Sequence, residues 1–143
     1  MLLDIGGVIF NISGSSLSKK SQIAYEQAKR TDRDVNRIYN YLYVLSKESK
    51  KFKDALDKTY SLYKEKFKVL DFCVNYYEKT DWNDFIQKEK KDIENCVLLV
   101  GLLFKMCQTK LVYQDGAEDG FNTINTDGIS DAVSNSEAIL KDI

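Results

Sequence analysis

Between Ser15 and Asp115 this chain has no Pro and a single Gly, Gly101. Pro and Gly are the two residues that cost most in a helix interior, so the stretch is open to long helices and poor in turns. Its apolar residues keep helical time. Leu17, Ala24, Ala28, Val35, Ile38, Leu42, Leu45, Phe52, Leu56, Tyr63, Phe67, Leu70, Val74 and Tyr77 follow steps of three, four and seven. Only the small polar residues Thr31, Ser49 and Thr59 interrupt the stripe. Such a pattern marks one helix laid along a partner. Unbroken from Leu17 to Tyr77, it would be roughly 90 Å long at 1.5 Å per residue.

The run EKTDWNDF is the first punctuation. Thr80 or Asp81 can accept from the free amides of a new helix, and Asp84 completes a capping-box spacing with Asp81. A second stripe follows at Ile86, Ile93, Val97, Val100, Phe104, Cys107 and Leu111. At its centre CVLLVGLLF carries no charge, so this helix is apolar all round and suits a bundle or an oligomer. It is too short to span a bilayer, which takes ~20 apolar residues. The acidic, Gly-bearing segment after Tyr113 has loop chemistry. Thr126 or Asp127 can then cap a third helix with Ile129, Val133, Leu140 and Ile143 on one stripe and Ser136 inside it.

These patterns predict an all-α fold: an elongated antiparallel helical hairpin or three-helix bundle with a long first helix and a short apolar N-terminal arm. The expected organisation is an apolar, Gly-containing arm over 1–14 and two long antiparallel helices over 15–114. An acidic Gly/Asn/Thr loop over 115–126 and a C-terminal helix over 127–143, packed on the bundle, complete it. Facing stripes would bury Leu42, Leu45, Phe52, Leu56, Val97, Val100 and Phe104 in one core.

Charge is unevenly spread. Residues 15–114 hold 20 Lys/Arg against 14 Asp/Glu, while residues 115–143 hold seven acids against Lys141. Acids interrupt the basic stretch throughout, so we expect a solvated mixed-charge body neutralised by its own acidic C-terminal segment, which disfavours nucleic acid as a partner. Tyr is abundant at YNYLYV (39–44) and VNYY (74–77), where helix–helix boundaries are the expected location. Histidine is absent, which excludes Ser-His-Asp and Cys-His catalysis and His metal ligation. Cys73, Cys96 and Cys107 have no paired spacing, so they are expected as small buried side chains in a reducing, cytoplasm-like compartment. No basic stretch precedes the apolar opening, so no signal peptide is expected.

Two segments suggest chemistry. In YQDGAEDGFNTINTDG, Asp115, Asp119 and Gly120 match positions 1, 5 and 6 of a calcium loop. Ala117 and Thr126 stand where positions 3 and 12 need ligands, so no calcium site is predicted. The opening LLDIGGVIF resembles the first motif of haloacid-dehalogenase-like phosphatases over about ten residues. That resemblance implies Asp4 as nucleophile on a strand of a doubly wound α/β fold. The second acid of the family motif is replaced here by Gly6, and a magnesium-holding acid pair would have to come from Glu118 and Asp119. The residues themselves read more simply as an apolar strand or arm docked on helices. The layout of long helices plus a Gly-bearing apolar patch is also loosely similar to that of α-helical pore-forming toxins.

The sequence therefore favours a non-enzymatic helical bundle acting through protein–protein interaction or self-association, with a protein partner or a second copy (a homo-oligomer, coiled-coil-like). A membrane-active or membrane-proximal helical protein is the alternative, and the phosphatase is the remote one. No catalytic, cofactor-binding or metal residue is assigned, and no cofactor is expected.

Overall fold

The computed structural model describes residues 4–5, 8–9, 17–114 and 120–143, with backbone alone for those before Lys19. The fold is all-α. Three helices account for nearly all of the described secondary structure: α1 (Leu17–Asn75), α2 (Gln87–Cys107) and α3 (Thr126–Asp142). Two antiparallel strand pairs of two residues each accompany them, β1 (Asp4–Ile5) with β2 (Val8–Ile9) and β3 (Val112–Tyr113) with β4 (Thr123–Ile124). The chain divides into two compact units, Met1–Asn40 and Tyr41–Ile143, taken here in turn.

In the first unit β1 and β2 pair with Asp4 opposite Ile9 and Ile5 opposite Val8. These described residues of the opening thus form an antiparallel strand pair. The parallel, doubly wound sheet implied by the phosphatase resemblance is not present among the described residues. The α1 residues from Ala28 to Asn40 are all solvent-exposed. Val35 and Ile38 are among them, so this part of the predicted stripe has no partner among the described residues.

The second unit is the bundle. α1 and α2 run antiparallel, which the cross-helix pairs establish: Lys66 meets Asp92 at 2.8 Å, while Ala55, further back on α1, clusters with Leu102 and Met106, further along α2. Val133, Ile139 and Leu140 of α3, with Ile143 just past its end, close the cluster formed by Ala55, Leu99, Leu102 and Met106. Phe52, Leu56, Leu62 and Tyr63 pack around it from α1. Thr59, one of the polar interruptions of the stripe, is fully buried and satisfies its hydroxyl by donating to the Ala55 carbonyl at 2.9 Å.

The predicted core needs correction on α2. Phe52 and Leu56 do border the core and Leu45 is half-buried, but Leu42, Val97, Val100 and Phe104 are exposed. The buried face of α2 is Cys96, Leu99, Leu102 and Met106, on the side opposite the predicted stripe. CVLLVGLLF supplies apolar residues to every side of the helix, so periodicity had two valid answers. Cys73 and Cys96 are buried as expected, whereas Cys107 is exposed.

Chain ends of the helices were also placed differently. Asp81 does form a capping box, with Asn83 N–H donating to its Oδ1 at 2.8 Å and its own N–H donating to Asp84 Oδ2 at 3.3 Å. The box opens a single 3-10 turn, Trp82–Asp84, and α2 begins only at Gln87. α1 closes without glycine. Lys79 N–H donates to the Cys73 carbonyl at 3.1 Å around Glu78, whose φ is 52°, a left-handed closure usually given to Gly. The predicted loop 115–126 contains β4, and residues 115–119 lie outside the described ones. The cap of α3 is Asn125 rather than Thr126 or Asp127. Its side chain accepts from Gly128 N–H at 3.0 Å and donates to the Lys110 carbonyl at 2.8 Å. A Cβ on residue 128 would come within 2.3 Å of the Asn125 amide, so only Gly fits this close approach.

Candidate interaction surface

α2 is the element with two apolar faces. Its inner face holds Leu99, which is 0% exposed. Its outer face presents Val97 at 67%, Val100 at 49% and Phe104 at 64% exposure. Gly101 is on the same side, and a Cβ there would meet nothing within 4 Å. At 3.6 residues per turn these four positions span about 100° of the helix circumference, one continuous stripe. Glu94 and Lys105 flank it, both exposed and neither in an ion pair among the described residues. Scattered exposed apolar residues are ordinary on protein surfaces, but a contiguous stripe marks a contact site.

The aromatic residues of the two Tyr-rich runs are mostly solvent-exposed rather than at helix–helix boundaries. Tyr41 stacks on Phe121 with ring centroids 4.8 Å apart, while Tyr39, Tyr43, Tyr76 and Tyr77 are exposed. The Lys-rich part of α1 is a mixed-charge face, with Lys51 paired to Glu48 and Lys53 to Asp57 along the helix. No ion pair among the described residues joins α3 to α1 or α2, so apolar contact docks this acidic helix.

A second cluster lies at the junction of α1 and α2. Glu89 accepts from Lys79 Nζ at 2.6 Å and from the Ile86 N–H at 3.0 Å. The Lys79 hydrogen bond, followed by the backbone one, holds the Glu89 carboxyl below the usual carboxylate range. The same hydrogen bond raises Lys79 above its ordinary value. Burial pushes the Cys73 thiol up, and its hydrogen bond to Glu89 adds to that. A protonated thiol is a poor nucleophile, so the shallow cleft that Cys73, Glu89, Phe72 and Tyr77 line has no reactive sulfur at neutral pH. The cluster ties the start of α2 to the end of α1. Sequence reading missed it because a Lys and a Glu ten residues apart carry no periodic signal.

Its pH behaviour follows from the two directions. The lowered Glu89 contributes stability that is complete above about 4.3 and is lost as pH falls through its folded value. The raised Lys79 contributes stability that is complete below about 10.4 and is lost as pH rises through its folded value. Denaturant titrations of Glu89→Gln are therefore expected to show a less stable protein at pH 7 whose stability declines less steeply than wild type below pH about 4. Parallel declines in the two proteins would contradict the pairing.

Most of the residues singled out by chemistry lie outside the described ones. Asp4 belongs to β1, and its side chain lies outside the described residues. Glu118, Asp115, Ala117 and Asp119 also lie outside them, while Gly120 is exposed with φ at 78° and Thr126 starts α3. No group of three or more Cys, Asp or Glu able to hold a metal ion occurs among the described residues. No described helix is long and apolar enough to cross a membrane. No protein-family model, curated protein or solved structure matches this chain.

Proposed function

We propose that this protein is a non-catalytic helical bundle that works by binding protein through the outer face of α2. The observation that carries the reading is the pair of Val97 and Phe104, about two-thirds exposed on a helix whose opposite face is fully buried. Leaving that much apolar side chain in water forgoes about 25 cal/mol per Å², which a partner surface would recover. The exposed Val35 and Ile38 on α1 support the same reading.

The uncharged run from Cys96 to Phe104 also favours a second reading, contact with a membrane surface. Flotation with vesicles of phosphatidylcholine alone, and with added anionic phosphatidylserine, separates the two. The protein is expected to stay at the bottom of the gradient with both vesicle types. Flotation that is abolished by Phe104→Glu would overturn the protein-binding reading and establish the membrane one.

A further inference from the structure

We propose that the occupant of the α2 outer face is a second copy of this chain, paired antiparallel about a two-fold axis between Val100 and Gly101. The proposal rests on the protein-binding reading and names its partner.

The geometry of one helix sets the match. A two-fold axis at that point places Val97 opposite Phe104 of the second copy along the centre of the stripe, with the two Gly101 residues meeting on one flank and the two Val100 residues on the other. Gly101 then has a purpose that the single chain does not give it. It lies in a helix interior, where Gly costs about 1 kcal/mol relative to Ala. It makes room for no neighbour within its own chain, because a Cβ there would meet nothing within 4 Å. At a helix crossing, the missing side chains of the two Gly101 residues let the opposing backbones come close.

Charge chooses the direction. Glu94 and Lys105 project on the same flank of the stripe, the Gly101 side, by the 100° step of the helix. Glu94 precedes the two-fold point and Lys105 follows it. Antiparallel pairing brings Glu94 of each copy to within about 3 Å, along the helix axis, of Lys105 of the other at 1.5 Å per residue. Parallel pairing would instead put this flank of the two copies on opposite sides of the contact, where Glu94 of one copy does not meet Lys105 of the other. A two-fold interface is self-complementary, so this charge pair is satisfied twice, at the polar edge of an apolar centre.

Sedimentation velocity on the full chain over a range of concentrations provides the test. Wild type is expected to show a reversible monomer–dimer equilibrium. Gly101→Leu should raise the dissociation constant about tenfold or more, since the added side chain holds the helices apart. Its monomer should keep wild-type circular dichroism and melt no lower than wild type, because the added side chain starts in open space and the helix-interior cost of Gly is removed. Glu94→Lys and Lys105→Glu should each weaken the dimer roughly tenfold, and the double reversal should return it to within about threefold of wild type. A wild-type protein that stays monomeric at all concentrations overturns the proposal. So does a dimer indifferent to Gly101→Leu, or a double reversal as weak as the single ones. These failures leave the protein-binding reading standing, since only flotation with vesicles contradicts that.

Discussion

Leu99→Ala should destabilise the second unit by about 2–5 kcal/mol, the range for truncating a buried Leu. Leu99 is 0% exposed and sits in the cluster of Ala55, Leu102 and Met106 that α3 closes. The cluster draws residues from all three helices, and rigid helices cannot collapse into the space Leu99 would leave. For a unit of this size the melting temperature should fall by roughly 8 °C or more, at about 4 °C or more per kcal/mol. Val100→Asp, one residue along the same helix, should cost less than about 0.5 kcal/mol in the monomer, as for other surface substitutions. Both are read by denaturant unfolding at concentrations below self-association. A larger loss at Val100 would mean that the other face of α2 is the buried one, and equal losses that both faces are.

The second large effect is expected at the docking of α3. Ile129 is fully buried in the first turn of α3, and Val133, Ile139, Leu140 and, just past the helix end, Ile143 pack against the core cluster. Ile129→Asp would bury an unpaired carboxylate, so the helix should undock and expose the Leu99 and Met106 surface. The expected loss is on the order of 3–5 kcal/mol, with increased aggregation on heating. Because no ion pair among the described residues links α3 to the other helices, raising salt on the wild type should change its melting little. A protein whose melting drops steeply with added salt would show that charge attraction, rather than apolar burial, holds α3.

Secondary structure was legible in the residues because it depends on local chemistry. The absence of Pro and the rarity of Gly between Ser15 and Asp115 leave helix as the cheap backbone state. Steps of three and four from Phe52 to Tyr63 place one α1 face on a partner, and those residues do border the core. The acidic loop chemistry after Tyr113 and the apolar positions Ile129, Val133 and Leu140 likewise announce a third packed helix. Helix ends were less legible. Asp81 caps a 3-10 turn and Asn125 caps α3, and the difference between neighbouring capping residues is decided by which side chain the fold aims at a free amide. The face of α2 was beyond the sequence altogether. Cys96, Leu99, Leu102 and Met106 offer as good a helical stripe as Val97, Val100 and Phe104. Either stripe satisfies the helix by itself. The choice between them is a long-range packing decision, made where α1 and α3 pack on the cluster that holds Leu99, and that decision leaves the second stripe in solvent.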